Sequence, residues 1–220
     1  YNMGMLVNSL KLGCDCLGEI FYFDVHQVTW EGKVKSVENA ICMHEEDYGI
    51  QWKHYDSESQ TSEVRRSRRL VISSIFTIGN YDYGFYWYLY LDGTIQMEIK
   101  LTGIVGVSAV TEATHNPGQS PLIAEGLASP VHQHVFCFRL DWELDGGPNA
   151  IYESQIEVLP ISDTNPDGTQ FQSVSTHLVD EASAKRNVHP ERSRHWKVIN
   201  PASLNGLGKP VSYKLLPAGS

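Results

Sequence analysis

Two histidines separated by one residue are the first feature of this sequence that could bind a metal ion. His132 and His134 flank a glutamine, and residues two apart on a β-strand point to the same face. Imidazoles suit copper, zinc, iron and nickel, and two of them supply half of such a site. A His-X-His pair is more often incidental than metal-binding, so the pair alone does not establish a metal centre.

A tyrosine in a short polar and aromatic run is the second feature. Asn80 and Tyr81 begin the sequence Asn-Tyr-Asp-Tyr at positions 80–83, and a glycine stands on each side of this run. Taken alone, the pattern is typical of a turn between two strands, in which glycine supplies conformational freedom. Tyr81 would then be a packed aromatic residue with a hydrogen-bonded hydroxyl group.

The sequence around these residues predicts β-structure. Apolar residues alternate with polar ones from Ile95 to Leu101, which indicates a half-buried strand. An Asp-Gly pair at positions 92–93 separates this strand from an aromatic run, and such pairs favour tight hairpin turns. Many further short strand patterns separated by turn residues predict an all-β sandwich, with residues 1–220 in a single domain.

Some segments carry individual predictions. Residues 40–43 and 48–54 read as a strand pair around an acidic turn, and residues 131–140 as a strand carrying the two histidines. The stretch 111–130 is rich in glycine, proline and small residues and predicts a long loop. Residues 179–186 form the one segment whose pattern suits a short helix.

Composition and charge narrow the class of partner. The 220 residues carry 17 basic and 26 acidic side chains, a formal net charge of −9. This balance argues against nucleic acid or an anionic membrane as the main partner. No apolar run is long enough to cross a bilayer. The chain begins at Tyr1, which leads us to expect a piece of a longer protein or a processed product.

The histidine pair and the tyrosine run together are stronger evidence for a functional site than either is alone. Thr-X-X-Asn-Tyr-Asp-Tyr at positions 77–83, followed downstream by His-X-His, resembles the signature of the copper amine oxidases. The segments 12–20, 39–49 and 193–213 also resemble runs of that family. The resemblance therefore extends over nearly all of the chain.

This resemblance implies a site and a reaction. Tyr81 would be the precursor of topaquinone, a quinone cofactor made from the protein's own side chain, and Asn80 would restrict the orientation of its ring. His132 and His134 would bind copper(II). The family oxidises primary amines to aldehydes with dioxygen and releases ammonia and hydrogen peroxide. Members are homodimers, and the chain would form part of their large C-terminal β-sandwich catalytic domain.

The resemblance also assigns other residues. Cys16 and Cys42 correspond to a disulfide pair, which would leave Cys14 and Cys137 as buried thiols. A segment after the histidines corresponds to a second cation site in several members, for which calcium is suited because its ligands are oxygens. Its residues here are Asp141, Trp142 and Glu143. A solvated acidic turn explains them equally well.

Two parts of the family's machinery are not matched. Its catalytic aspartate would fall just before Tyr1, and its third copper histidine beyond Ser220, so residues 1–220 read as an incomplete catalytic domain. An alternative is a truncated, inactive β-sandwich interaction module. A zinc hydrolase built on the histidine pair leaves Tyr81 unexplained. The compartment stays open between secreted or periplasmic and peroxisomal.

Overall fold

Antiparallel strands make up most of the chain in the computed structural model, which describes residues 3–112 and 114–217. The all-β prediction is confirmed. The chain divides into two compact units, Tyr1–Gln133 and His134–Ser220. One domain over 1–220 stays a prediction. Among the described residues, no helix is long and apolar enough to cross a membrane.

The first unit is built on a five-stranded antiparallel sheet in which each strand pairs with the next one in sequence. A short 3-10 helix, Met3–Leu6, precedes it. The strands are β1 (Phe21–Val28), β2 (Val34–Asp56), β3 (Thr61–Ile78), β4 (Tyr81–Tyr90) and β5 (Ile95–Gly103). The predicted β4–β5 hairpin is confirmed, and the Gly93 amide donates to the Tyr90 carbonyl at its turn.

A second, small sheet has two of its three strands in the segment 111–130, which was predicted as a loop. Its strands are β6 (Ser108–Ala109), β7 (Leu122–Ala124) and β8 (Leu127–Ala128), and β8 lies in the middle. The segment that leads to the histidines is therefore anchored by backbone pairing.

The second unit contains a four-stranded antiparallel sheet in the order β10-β9-β11-β12. Its strands are β9 (Ala150–Val158), β10 (Phe171–Leu178), β11 (His195–Leu204) and β12 (Pro210–Leu215), with a 3-10 helix at Pro190–Arg192. The buried side chain of Val198 lies in its central strand β11.

The predicted acidic turn within residues 40–54 is wrong. Strand β2 runs unbroken through this region, because it pairs with β3 along its length. The acidic residues form cross-strand ion pairs with arginines instead of closing a turn: Glu45–Arg68, Glu46–Arg69 and Asp47–Arg66.

The predicted helix over 179–186 is also wrong, since the structure has only a turn there. The Asp180 carboxylate accepts the backbone amide of Ser183 at 2.7 Å. A bond of this kind also caps the first turn of many helices, but here only a single turn follows it.

The predicted strand over 131–140 is not formed. No described strand pairs with this segment, and a strand requires a partner for its backbone groups. Val135, near its centre, keeps 85% of its surface exposed.

Candidate active site

Tyr81 is the first residue of β4 and directly follows the turn that joins it to β3. Gly79 has φ +64°, the left-handed conformation that glycine adopts without strain. Ile78 and Tyr81 then face each other as the first pair of the β3–β4 ladder. The sequence placed Tyr81 within the turn, and the structure places it one residue beyond.

Polar side chains brace this end of the hairpin. The Thr77 hydroxyl lies 2.5 Å from Asp82 Oδ1, and the side-chain amide of Asn8 donates to Thr77 Oγ1 at 2.9 Å. Asn80 is exposed in the turn, and its carbonyl accepts the Ile104 amide at 2.7 Å. Asp82 therefore helps to shape the turn.

The structure brings Tyr81 and His132 together. Tyr81 Oη lies 2.9 Å from His132 Nε2, and the ring centres are 5.6 Å apart. The backbone amide of Gly106 also donates to Tyr81 Oη at 2.9 Å. Tyr81 is half-buried and His132 is exposed. The phenol and the first predicted copper ligand thus share a hydrogen bond.

The second nitrogen of His132 fixes the direction of that bond. His132 Nδ1 lies 2.7 Å from the Pro130 carbonyl. A carbonyl only accepts, so Nδ1 carries the proton and Nε2 presents its lone pair to Tyr81, whose hydroxyl donates. This lone pair is the one that a copper ion would use.

His134 is the first residue of the second unit and is half-buried. Its role as a copper ligand stays a prediction. Within residues 3–112 and 114–217, no three His, Cys, Asp or Glu side chains are grouped so that they could hold a metal ion. The donor chemistry at His132 fits copper, and a complete ligand set requires residues beyond those grouped here.

The predicted second cation site lies in the second unit. Asp141 and Glu143 are exposed. The Trp142 ring packs against Tyr213, with the ring centres 5.7 Å apart. The assignment of these residues to a cation stays a prediction.

Cys16 and Cys42 lie in one buried cluster with Leu10, and both are present as thiols. Burial, together with a hydrogen bond to Cys16, raises the pKa of the Cys42 thiol to about 12. The disulfide between them stays a prediction. Cys14 and Cys137 are exposed, so the prediction that they are buried is wrong for this chain.

Gly106 is a contact of Tyr81 that the sequence did not reveal. A single glycine in a loop carries no spacing signal, and its amide acts through the backbone. The side-chain amide of Asn8 was not predicted as a contact either, because it lies 69 positions from Thr77 in sequence.

Comparison with known proteins finds relatives that match this chain along its whole length. The chain matches the family model of the copper amine oxidase enzyme domain over residues 1–220. It is 48% identical over 217 residues to a primary amine oxidase of Arthrobacter sp. (strain P1), covering 99% of this chain and 33% of that protein. It is also 48% identical over 220 residues to a histamine oxidase of Arthrobacter globiformis, covering 100% of this chain and 32% of that protein.

A solved structure shares the fold. The crystal structure of a copper-containing benzylamine oxidase from Hansenula polymorpha matches with a TM-score of 0.86 at 29% identity. The match covers 99% of this chain and 34% of that one. The chain thus spans about a third of the length of the relatives that it matches.

Proposed function

This chain belongs to the copper amine oxidase family, and from that premise we propose that the protein carrying it is a primary-amine oxidase. It would convert a primary amine, dioxygen and water into an aldehyde, ammonia and hydrogen peroxide. The observation that carries the proposal is the 2.9 Å contact between Tyr81 Oη and His132 Nε2, within a chain matched along its whole length.

Each residue of this site has a separate proposed role. Tyr81 is the proposed precursor of topaquinone, and His132 and His134 are the proposed copper(II) ligands. Copper with dioxygen supplies the oxidising chemistry that turns the phenol into a quinone, whose carbonyl is electrophilic toward amines. Without metal, His132 Nε2 accepts the hydrogen bond of the Tyr81 hydroxyl across 2.9 Å, and copper would take that lone pair on binding. Asn80 restricts the ring from the adjacent turn.

The proposed substrate class is primary amines. The similar proteins include a primary amine oxidase, a copper methylamine oxidase, a histamine oxidase and a benzylamine oxidase. For this protein, methylamine, histamine and benzylamine are therefore the first amines to test.

Turnover by the copper-loaded native protein tests the proposal. We expect hydrogen peroxide release with at least one of these amines, measured by a coupled peroxidase assay. Tyr81→Phe should abolish release, and the exposed Tyr55→Phe should retain it. A wild-type protein that binds copper and releases no peroxide with any of them would support an inert interaction module instead.

We propose a homodimer for the native protein, and the β2–β3 hairpin supports it. Residues 44–56 of β2 and 61–68 of β3 extend past the ends of the β1 and β4 pairings, so among the described strands they pair only with each other. This extension exposes Ile50, Trp52, Tyr55 and Val64. Sedimentation at a monomer's mass would contradict the proposal.

Calcium at Asp141, Trp142 and Glu143 is a further proposal, supported by the exposed carboxylates on both sides of the packed Trp142. Metal analysis after dialysis against calcium tests it. Asp141→Asn should lower the bound calcium, and equal calcium in both proteins would contradict the assignment.

A further inference from the structure

We propose that Gly106 and Ser129 form a clamp that holds the Tyr81 phenol oxygen against His132 before any metal binds. Both act as positioning residues, Gly106 through its backbone amide and Ser129 through Gly106. The inference rests on the proposed function, because it concerns the residue that would become the quinone.

The first part of the clamp is the Gly106 amide. It donates to Tyr81 Oη at 2.9 Å, while the Tyr81 hydroxyl donates to His132 Nε2 at 2.9 Å. The phenol oxygen therefore accepts one bond and donates another. Two hydrogen bonds restrict the position of the oxygen more than either bond alone.

Glycine at position 106 leaves the space that the phenol occupies. A Cβ atom added there would lie 3.0 Å from Tyr81 Oη and 3.9 Å from Tyr81 Cζ. The first distance is shorter than ordinary van der Waals contact, so a side chain at 106 would displace the phenol or the loop.

The second part is Ser129, which holds Gly106 from its other side. The Ser129 hydroxyl donates to the Gly106 carbonyl at 3.2 Å, and the Ser129 amide donates to the Pro121 carbonyl at 3.0 Å. Ser129 also lies one residue before Pro130, whose carbonyl fixes the His132 ring. One short segment thus places both partners of the phenol oxygen.

The residues before Gly106 are tied to the tyrosine turn. The Ile104 amide donates to the Asn80 carbonyl at 2.7 Å. Gly103 has φ +100°, and a Cβ atom there would lie 2.4 Å from the Asn80 carbonyl oxygen. Residues 103–106 therefore lie close to the backbone of residues 80–81. This places the Gly106 amide within hydrogen-bond distance of the Tyr81 phenol oxygen.

Such an arrangement preorganises the phenol for the oxidation. The reacting group is already oriented, so no binding energy is spent on ordering it, and small misplacements of reacting groups cost large factors in rate. The clamp should therefore control how fast the quinone forms after copper addition, with little influence on how much copper binds.

The test compares two substitutions in the native protein with two matched controls. Ser129→Ala removes the hydroxyl that holds the Gly106 carbonyl. Gly106→Ala keeps the backbone amide but adds a Cβ atom 3.0 Å from Tyr81 Oη, which displaces the phenol or the loop. Ser108→Ala alters an exposed serine in β6, and Gly206→Ala places a Cβ atom where nothing lies within 4 Å. Ser129→Thr keeps the hydroxyl and should restore what Ser129→Ala loses.

Two readouts are taken on each protein. The first is the NMR resonance of Tyr81 Cζ in copper-free protein with labelled tyrosine, assigned by its loss in Tyr81→Phe. It reports the hydrogen bonds of the phenol without any metal. The second is the rate at which the quinone absorption appears after copper addition, with bound copper measured in parallel.

We expect Ser129→Ala and Gly106→Ala to shift the Cζ resonance and to slow quinone formation on the order of tenfold to a hundredfold at unchanged copper content. The control variants should match the wild type. An unshifted Cζ resonance in both clamp variants would overturn the clamp. If the resonance shifts but the wild type forms no quinone, the clamp stands and the proposed function fails.

Discussion

The phenol of Tyr81 and the imidazole of His132 meet across 51 positions of sequence. Residue types and their order predicted both partners, because the chemistry needs a tyrosine and a histidine whatever the fold. The tautomer of His132 and the Gly106 contact were not predictable, since both depend on backbone groups that any residue type supplies. The structure adds the direction of the proton to the sequence-based assignment.

The two buried thiols give a prediction at the same scale. Cys16 and Cys42 share one buried cluster, while Cys14 and Cys137 are exposed. In native protein isolated without reductant, the proposed Cys16–Cys42 disulfide predicts that only two of the four cysteines react with a thiol reagent in denaturant. Peptide mapping should identify the reactive pair as Cys14 and Cys137.

Cys42→Ser provides the control for this thiol count. It should release Cys16 and raise the count of reactive thiols to three. Four reactive thiols in the wild type, after exposure to an oxidising buffer, would mean that the buried pair stays reduced.

Arg69 is central to the β2–β3–β4 part of the sheet. Its guanidinium lies 3.8 Å from the ring centre of Tyr88 and 4.1 Å from that of Tyr48, and its Nε donates to Glu46 at 2.8 Å. Its side chain is only 13% exposed. The planar guanidinium stacks and donates at once, which a lysine ammonium does not reproduce.

We therefore expect Arg69→Lys to lower the free energy of unfolding by about 1–3 kcal/mol. Arg65→Lys is the matched control, since Arg65 also has a carboxylate partner and lies near a Trp ring, but its side chain is 64% exposed. The control should stay within about 0.5 kcal/mol of wild type. Chemical denaturation measures the free energy of unfolding of both variants. Equal losses of stability would contradict a specific role for the stacked Arg69 guanidinium.

The outer part of the hairpin carries a pH-dependent contribution. Hydrogen bonds from the Arg66 side chain and the Gly49 amide lower the pKa of Asp47 from 3.8 to about 2. A carboxyl group whose pKa is lower in the folded state stabilises the fold above its unfolded pKa. The stabilisation is lost as the pH falls through the folded value.

The difference in free energy of unfolding between wild type and Asp47→Asn should thus be full above about pH 4 and vanish toward about pH 2. Arg66→Gln should lose the same pH-dependent part, because it removes the main partner. A difference that does not change over this range would contradict the ion pair. Equilibrium denaturation at a series of pH values provides the measurement.

Elements were predictable where local pattern and pairing agree. The β4–β5 hairpin follows from its alternation and its Asp-Gly turn, and both persist in the structure. The segment 131–140 has a strand's pattern but finds no partner among the described strands. The alternation of apolar and polar residues shows that a segment could be a strand. Whether the strand forms depends on a second strand to pair with, which the sequence pattern does not identify.

The chain as a whole spans about a third of the length of its relatives. It supplies the proposed quinone precursor and two proposed copper ligands. Its matched family and its all-β structure agree with the sequence-based interpretation. The proposed oxidase activity is assigned to the native protein that carries this chain.

Conversion of Tyr81 on addition of copper tests the central claim most directly. Native copper-free protein is given copper(II) in air, and the peptide containing Tyr81 is analysed by quinone staining and mass spectrometry, with bound copper measured in parallel. We predict a visible absorption band, a quinone-positive peptide and an oxidised residue at position 81. Bound copper with an unmodified Tyr81 and no visible band would contradict the account.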